Sequence, residues 1–250
     1  MSIHIQVSDD GPIRTVRMNR PDKKNALTAA MYEAMAAAIE DASAHAKIRC
    51  VVIAGRPGTF TAGNDLADFL KAAESGEGLG ANTVRFLHAL ARSKQPLVAA
   101  VQGVAVGLGT TMLLHCDYVV AGANARFSTP FVSLGLIPEA ASSLLAPGLM
   151  GHRRAFALLV MGRPFDAPAA QACGLVNTVV APPDVDTAAM KAAHEIAALP
   201  AEAVAESRRL MRGSPDEIVA LMDKEVSLFK ERLRSPEARE AFSAFLTRKR

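Results

Sequence analysis

Residues 102–139 read QGVAVGLGTTMLLHCDYVVAGANARFSTPFVSLGLIPE, and this stretch decides the fold. The run before it, which Pro96 introduces, is apolar and predicts a buried strand, and residues 107–115 predict a buried helix. Two further apolar runs, CDYVVAG and ARFST, then predict strands. Because two strands recur between helices, the repeating unit is β-β-α and not a simple β-α alternation. The predicted class is therefore α/β.

Toward the N-terminus, the sequence alternates apolar and polar residues on both sides of Asp10-Gly11. This pattern predicts two strands joined by a tight turn. Thr28 precedes a stretch rich in alanine and methionine at helical spacing, so we expect it to be the N-cap of a helix. The run IRCVVIAG then predicts a strand that is covered on both faces.

Toward the C-terminus, the pattern becomes helical from Gly151 onward. We expect Asp166 to cap a short helix that Gly174 ends, and VNTVV after it predicts a strand. Residues 200–250 contain three amphipathic segments separated by Gly-Ser-Pro and Ser-Pro breaks, which predict three helices. We therefore divide the chain into a core, residues 1–199, and a helical region, residues 200–250.

The composition of the 250-residue chain excludes several classes of protein. With 28 Lys and Arg against 25 Asp and Glu, the net charge of +3 is too small to indicate a nucleic-acid partner. No apolar run reaches the length of a membrane span and no secretion signal is visible, so we expect no membrane partner and a cytoplasmic location. The three cysteines form no CxxC pair, which predicts no metal site and places them in the core.

Two glycine-containing turns are the first candidates for function. FTAGND, residues 60–65, and GVAVGLG, residues 103–109, each follow a predicted strand and bend the chain where a ligand can approach the backbone. Neither is a dinucleotide or phosphate-binding motif. Such turns often serve only to redirect the chain. Two of them together can instead direct two N–H groups at one oxygen, which is how a protein stabilises an enolate.

Through FTAGNDL, the long stretch quoted above and RPFDAPAAQACGLVNTVV, residues 163–180, the chain resembles the crotonase, or enoyl-CoA hydratase/isomerase, superfamily over nearly its whole length. The resemblance implies a crotonase-like spiral of β-β-α turns with a C-terminal helical trimerisation region. It also implies a coenzyme A (CoA) thioester as substrate, with its carbonyl oxygen bound between two backbone N–H groups. By motif position these belong to Ala62 and Leu108. The implied partners are the acyl-CoA substrate and further copies of the chain, in a homotrimer or a dimer of trimers.

Within this superfamily the reaction depends on the carboxylates around the thioester, and two familiar ones are absent. Hydratases similar to this chain carry one glutamate where it has Thr111 and another where it has Phe131. A hydratase needs both groups to hold and activate water, whereas Phe131 would exclude water. Ordinary hydration is therefore disfavoured, although the same fold carries other thioester reactions.

Glu139 is the carboxylate that is present. The segment from Thr129 to Ser143 reproduces the TPF-x-x-LG-x-x-PE-x-x-SS pattern of peroxisomal-type Δ3,Δ2-enoyl-CoA isomerases, whose base stands at this glutamate. One base suffices there, because the same carboxyl removes a proton from C2 and returns it to C4. The apolar neighbours of Glu139 are expected to raise its pKa. The structural alternative is a carboxylate in the first turn of a helix after Pro138.

The remaining assignments concern substrate contacts. The predicted acyl pocket is lined by bulky apolar residues, which are Phe69, Phe86, Phe131 and Leu134. The predicted CoA contacts are basic residues for the phosphates, an aromatic residue for the adenine and residues after the first glycine turn, namely Lys23, Lys24, Lys249, Phe245, Asp65 and Leu66.

The sequence therefore predicts a crotonase-fold isomerase that shifts 3-enoyl-CoA to 2-enoyl-CoA, for example in β-oxidation within fatty acid metabolism. It predicts Glu139 as the base and neither a metal nor a redox cofactor. Two alternatives stay open. One is hydration or another acyl-CoA thioester reaction on the same fold, and the other is a CoA-binding module without catalytic activity.

Overall fold

The computed structural model describes residues 2–65, 68 and 78–248, with the side chains of the last helix described up to residue 244. The strands of this described part are β1 (Ile5–Asp10), β2 (Ile13–Met18), β3 (Cys50–Ala54), β4 (Thr59–Thr61), β5 (Leu97–Val101), β6 (Val104–Val106), β7 (Tyr118–Gly122), β8 (Arg126–Ser128), β9 (Phe165–Asp166) and β10 (Thr178–Val180). Its α-helices are α1 (Ala29–Ala44), α2 (Ala81–Arg92), α3 (Leu108–Thr111), α4 (Ser142–Met150), α5 (His152–Leu159), α6 (Ala167–Ala172), α7 (Val185–Ala198), α8 (Ala201–Arg212), α9 (Pro215–Leu233) and α10 (Pro236–Arg248).

The larger of two sheets contains β1, β2, β3, β5, β7 and β10 in that order. β1 and β2 are antiparallel, with Val7 opposite Val16, and the other neighbouring strands are parallel. The predicted hairpin is confirmed, and Gly11 in its turn has φ +55°, which glycine adopts without the steric cost of a Cβ. Every residue of β3 and β5 is buried, as expected of strands that are covered on both faces.

The smaller sheet contains β4, β6, β8 and β9 in that order. β4, β6 and β8 are parallel, and β9 is antiparallel to β8. Along the chain, β3 and β4, then β5 and β6, then β7 and β8 each place one strand in the larger sheet and the next in the smaller one. Helical segments follow each pair, so the predicted spiral of β-β-α turns is confirmed.

Helices cover both faces of the larger sheet. On one face α1 packs against α2, and together they bury Met31, Met35, Ile39, Phe86 and Leu90 in the main core. On the other face α7 buries small residues at every fourth position, which are Val185, Ala189, Ala193 and Ala197. The buried stripe of α7 consists mainly of alanine, so its apolar period is weak and the sequence-based prediction does not include this helix.

The predicted N-caps are confirmed by direct hydrogen bonds. Thr28 Oγ1 accepts from the Met31 N–H at 3.3 Å, and Asp166 Oδ1 accepts from the Ala169 N–H at 2.9 Å. Each bond satisfies a backbone donor that the first helical turn leaves unpaired. The beginnings of α1 and α6 are therefore fixed by local sequence.

The helix predicted over residues 107–115 is shorter than expected. α3 ends at Thr111 and continues as the 3-10 turn Met112–His115. This tighter turn brings Asp117 beside Leu97 of β5, where the two residues exchange hydrogen bonds of 2.8 Å. The chain therefore leaves the α-helix early, because it must enter β7 in register with β5.

The three helices predicted after residue 200 are confirmed as α8, α9 and α10. α9 packs against α2 and α10 and buries Glu225. α10 lies against the segment that precedes Glu139, where a Cβ on Gly135 would stand 2.7 Å from the Ala238 nitrogen. The helical region thus packs on the core of its own chain, while the boundary at residue 199 stays a prediction. No helix in the described part of the chain is long and apolar enough to cross a membrane.

The cysteines behave as the small core residues that the sequence predicts. Cys50 and Cys173 are buried and Cys116 is half-buried. Burial raises the pKa of the Cys50 and Cys116 thiols to about 12, so both stay protonated at neutral pH.

Candidate active site

The two glycine turns lie side by side at the carboxyl ends of β4 and β6. In these adjacent parallel strands Thr61 is paired with Ala105, so the residues after each strand meet at one edge of the smaller sheet. Gly63 has φ +84°, and a Cβ there would stand 2.7 Å from the Val106 carbonyl oxygen. Gly107 has φ +55°. Glycine is required in the first turn by this close approach, and its conformational freedom suits both turns.

The structure corrects one of the two predicted oxyanion donors. The Ala62 N–H already donates to the Lys24 carbonyl at 2.9 Å, so it is not available to a ligand. Among the described residues, the N–H groups of Asn64 and Leu108 have no acceptor, and each follows a glycine of positive φ. We therefore replace Ala62 by Asn64, and Leu108 stays the second predicted donor.

The loop between β2 and α1 accounts for the bond made by Ala62. Asn25 in this loop is fully buried and has φ +52°. Its Nδ2 donates to the Phe60 carbonyl at 2.9 Å, and its Oδ1 accepts from the Arg20 N–H at 2.7 Å. These bonds fix the loop beside the first glycine turn, and they join parts of the chain that no local sequence pattern connects.

Glu139 lies in the segment before α4, with 1% of its surface exposed. The Thr111 hydroxyl donates to its Oε1 at 2.6 Å, and its Oε2 has no hydrogen-bond partner among the described residues. Burial raises the pKa of Glu139 to about 8; the Thr111 hydrogen bond opposes this shift and the charge of Glu225 adds to it. A carboxyl group with one unpaired oxygen and a raised pKa is suited to accept a proton near neutral pH.

One helical turn connects this carboxyl group to the second glycine turn. Leu108 begins α3 and Thr111 ends it. Residues three apart on a helix are neighbours, with Cβ atoms about 5–6 Å apart. The bond between Thr111 and Glu139 therefore places the carboxyl group close to the Leu108 N–H.

The peptides after Glu139 are held by two distant parts of the chain. Ala140 and Ala141 both have a left-handed backbone, with φ +64° and +53°, a conformation that costs an alanine roughly 1–2 kcal/mol. His115 Nε2 donates to the Ala140 carbonyl at 2.8 Å, and the Glu225 carboxylate accepts from the Ala141 N–H at 2.6 Å. Burial lowers the pKa of His115 to about 4, so its ring is neutral and carries its proton on Nε2 to make this bond.

Tyr32 is a further residue of the site that the sequence pattern does not identify. It lies in α1 with 2% of its surface exposed, and its hydroxyl donates to Asn64 Oδ1. Burial raises the pKa of Tyr32 well above its usual value, and the negative charge of Glu139 raises it further. Tyr32 is therefore close to both the first glycine turn and the carboxyl group. Its one signal in the sequence is a polar tip on the buried face of a helix.

The predicted acyl-pocket residues occupy different places. Phe131 is buried, and its Cε1 is 4.0 Å from the place that a Cβ on Gly107 would take, so its ring adjoins the second glycine turn. Leu134 packs, partly buried, against the main core. Phe86 is fully buried beside Tyr32, with ring centroids 5.6 Å apart. The lining of the acyl pocket by these residues stays a prediction.

The predicted CoA contacts are only partly described. Lys23 and Lys24 are exposed in the loop between β2 and α1, next to the first glycine turn. Asp65 holds this loop, because its Oδ2 accepts from Arg20 Nη1 at 2.6 Å, and its contact with CoA stays a prediction. The other predicted CoA contacts, Leu66, Lys249 and the side chain of Phe245, lie outside the described residues. The predicted pocket residue Phe69 also lies outside them.

Two surface clefts of the described chain lie away from Glu139. One, of about 630 Å³, runs between α1, α2 and α9 beside Gly80 and Arg85. The other, of about 570 Å³, is beside Leu113 and Leu149. Neither is lined by residues of the glycine turns, so the site is identified by its hydrogen-bond donors and its carboxyl group and not by a cavity.

Taken together, these groups can stabilise an anionic oxygen and move a proton. The N–H groups of Asn64 and Leu108 can both donate to an oxygen that becomes negatively charged. Stabilising this charge often makes the largest contribution to the rate enhancement of acyl-transfer and enolate reactions. The unpaired oxygen of Glu139 can remove a proton from a carbon next to that carbonyl group. Thr111 and Phe131 provide no second carboxylate with which to hold a water molecule.

The chain is similar to known proteins in both sequence and fold. A family model described as enoyl-CoA hydratase/isomerase matches residues 9–250. The chain is 35% identical over 250 residues to enoyl-CoA delta isomerase 2 of Rattus norvegicus, covering 98% of the chain and 64%, just under two thirds, of that protein. It is 29% identical to a probable enoyl-CoA hydratase of Rhizobium meliloti, over 98% of the chain and 95% of that protein. The solved structure of Pseudomonas aeruginosa OdaA has 45% sequence identity and a TM-score of 0.92, over 98% of this chain and 99% of that one.

Proposed function

Since this chain belongs to the enoyl-CoA hydratase/isomerase family, we propose that it is an isomerase that shifts the double bond of 3-enoyl-CoA to give 2-enoyl-CoA. One observation carries the proposal. Glu139 accepts a hydrogen bond from Thr111, in the helix of the second glycine turn, through one carboxyl oxygen, and its other oxygen is unpaired. In addition, Thr111 and Phe131 occupy the positions at which the family resemblance places the glutamates of hydratases. The enoyl-CoA delta isomerase among its relatives supports the same choice.

The first step of the proposed reaction is proton removal. The substrate's thioester oxygen accepts hydrogen bonds from the N–H groups of Asn64 and Leu108, and Oε2 of Glu139 takes a proton from C2. The electron pair of the broken C–H bond moves toward the carbonyl oxygen, which becomes an enolate conjugated with the C3–C4 double bond. The two N–H groups stabilise the charge that appears on this oxygen.

The second step returns the same proton. The carboxylic acid of Glu139 donates it to C4, where the C3–C4 π electrons form the new C–H bond. The C1–C2 π electrons of the enolate form the C2–C3 double bond, and a lone pair of the enolate oxygen restores the carbonyl group. Atoms and charge balance without water, and Glu139 ends as it began. A pKa of about 8 makes the carboxylate a stronger base than an ordinary glutamate, and the acid still releases its proton readily.

Exclusion of water follows from the same residues. Phe131 is buried beside Gly107, and Glu139 is 1% exposed, so an enolate formed here would meet apolar surface on the side where a hydratase holds its water. The proposed reaction needs no metal and no redox cofactor, because its only transfer is that of one proton. CoA enters only as part of the substrate.

We also propose that the chain assembles as a homotrimer or a dimer of trimers. Large apolar side chains are exposed on α5 and α8, which are Phe156, Leu210 and Met211, with 45%, 74% and 87% of their surfaces exposed. Exposed apolar residues of this kind are suited to an interface between subunits. Sedimentation of the wild type and of Met211→Asp measures this: a trimer or hexamer that the substitution weakens is expected, and a monomeric wild type contradicts it.

The deciding experiment gives the purified chain a 3-enoyl-CoA and, separately, a 2-enoyl-CoA. Absorbance follows the conjugated double bond, and mass spectrometry follows any addition of water. We expect conversion of the 3-enoyl substrate at unchanged mass and little reaction of the 2-enoyl substrate with water. Glu139→Gln should abolish this conversion, while Glu217→Gln, the same change at an exposed position of α9, should leave it intact.

Two outcomes contradict the proposal. A product heavier by one water, formed from the 2-enoyl substrate, makes the chain a hydratase. Binding of CoA thioesters without conversion of either substrate makes it a binding module.

A further inference from the structure

The segment that carries Glu139 owes its conformation only in part to its own residues, because the Ser142 N–H and hydroxyl donate to the Glu139 carbonyl at 3.1 and 2.5 Å. Ala140 and Ala141 are consecutive left-handed residues, and alanine gains nothing from that conformation. Such a backbone persists only where its surroundings hold it in place. The remaining contacts come from other elements, and the most extensive of these come from one side chain.

That side chain is Glu225, which enters from α9 and is 4% exposed. Its Oε2 accepts from the Ala141 N–H at 2.6 Å, and its Oε1 accepts from the Ser143 N–H at 3.3 Å and from the Ser143 hydroxyl. Both oxygens are therefore bound to the first turn of α4 and to the strained residue before it. Among the described residues, no salt bridge joins Glu225 to a cation.

A buried carboxylate without a cation is expensive to maintain, and a simple helix cap does not require it. Serine, threonine or asparagine caps a helix as well. Burial raises the pKa of Glu225, and its three hydrogen bonds oppose this shift. A neutral residue of similar shape would avoid the cost of burying the charge, so the charge itself calls for an explanation.

We propose that Glu225 is the positioning residue for Glu139, holding the peptides from 140 to 143 so that the unpaired carboxyl oxygen of Glu139 keeps one place relative to the Asn64 and Leu108 N–H groups. This inference rests on the proposed function and extends the site to a helix more than 80 residues away in the sequence. Glu225 does not touch the substrate and is not itself a catalytic residue.

A second consequence concerns the proton affinity of the base. The groups that face Glu139 are Thr111 of α3, Tyr32 of α1 and Glu225 of α9, while neutral His115 binds the Ala140 carbonyl next to it. Of these, Glu225 carries the negative charge that favours the protonated form of Glu139. Removing that charge should make Glu139 ionise at lower pH.

The test compares Glu225→Gln with Glu231→Gln, which makes the same change at an exposed position of the same helix. The readouts are kcat and KM for 3-enoyl-CoA across pH, and titration of the Glu139 carboxyl by 13C NMR, with Glu139→Gln used to assign its signal. For Glu225→Gln we expect kcat to fall by about 100-fold with KM nearly unchanged, because displacement of the base affects only the reacting state. We also expect the Glu139 titration to move to lower pH by about half a unit.

Further variants keep the test decisive if Glu225→Gln does not fold. Glu225→Asp keeps the charge and shortens the side chain, so kcat should fall while the titration stays in place. Ser143→Ala removes one donor and should leave the titration unchanged. The proposal is overturned if Glu225→Asp keeps the wild-type kcat, or if folded Glu225→Gln titrates and turns over like Glu231→Gln. The NMR titration needs no turnover, so a wild type that fails to isomerise 3-enoyl-CoA overturns the proposed reaction without deciding the role of Glu225.

Discussion

Thr111, the last residue of α3, donates its hydroxyl hydrogen to Glu139 Oε1 over 2.6 Å. The threonine hydroxyl thus supports the buried carboxyl group. It occupies one oxygen of Glu139 and leaves the other unpaired. Thr111 therefore determines which oxygen of Glu139 is free to accept a proton in the proposed reaction.

We predict that Thr111→Val raises the pKa of Glu139. The hydrogen bond from Thr111 favours the charged form of Glu139 and so opposes the effect of burial, which raises the pKa. Loss of the bond therefore moves the pKa of Glu139 above its present value of about 8. At pH 7, a rise of one unit would lower kcat/KM by about tenfold, because fewer molecules hold the carboxylate. Thr111→Ser keeps the hydroxyl and is the matched control. Equal pH profiles for the valine and serine variants would contradict the prediction.

The pH dependence of the wild type follows from the same group. The base must be ionised to act, and burial raises its pKa to about 8. We therefore expect kcat/KM for 3-enoyl-CoA to increase about tenfold per pH unit below that value and to level off above it. The measurement is a pH series with a substrate that does not itself titrate in the range. A profile that is flat from pH 5 to 9 would show that Glu139 is not the group that limits activity.

The free energy of unfolding should decrease as the pH rises, whereas kcat/KM increases. The pKa of Glu139 is about 8 in the folded chain and near 4.5 for an ordinary glutamate, so between these values the unfolded chain releases a proton that the folded chain keeps. The contribution of Glu139 to the free energy of unfolding is thus fully present below pH 4.5 and is lost as the pH rises through 8. Glu139→Gln has no proton to lose, and we expect its Tm to exceed that of the wild type by about 5 °C at pH 8.5, with the gap closing near pH 4.5. A constant gap at all pH values, measured by calorimetry, would contradict this account.

The main-chain donor at position 108 can be removed without breaking a helix bond. Leu108 is the first residue of α3, a position at which proline is tolerated because no intrahelical bond uses that N–H. We predict that Leu108→Pro lowers kcat by about 100- to 1,000-fold, as expected when one of two oxyanion donors is lost. Leu108→Ala loses the side chain but keeps the N–H, and it should retain most of the activity. Similar losses in the two variants would assign the effect to the side chain.

Local pattern predicts the features that depend on neighbouring residues. The β-β-α repeat, the two caps and the three helices after residue 200 all follow from period and punctuation. The turn after β4 shows the limit of this reasoning. Motif position selected Ala62, but its N–H is taken by Lys24, whose loop is fixed by the buried side chain of Asn25. A hydrogen bond between loops that are far apart in the sequence produces no periodic pattern of residues from which it could be predicted.

Tyr32 and Glu225 escape prediction for the same reason. Each is a polar residue on the buried face of a helix, and its partner lies on another element. In the sequence such a residue looks like any polar position of an amphipathic helix. Its role becomes visible only when the helices are packed against the glycine turns and the segment after Glu139.

Because Glu225 lies on α9, late in the sequence, its position affects the order in which the protein folds during synthesis. A nascent chain that has reached residue 200 already contains both glycine turns, Thr111 and Glu139, and it can begin to fold as a unit from its N-terminal side. It still lacks the carboxylate that binds the Ala141 N–H, 84 residues downstream of that nitrogen. The strained peptides after the base can thus take their final form only after α9 has left the ribosome. Newly made chains should for that reason gain ordered secondary structure before they gain a properly aligned base.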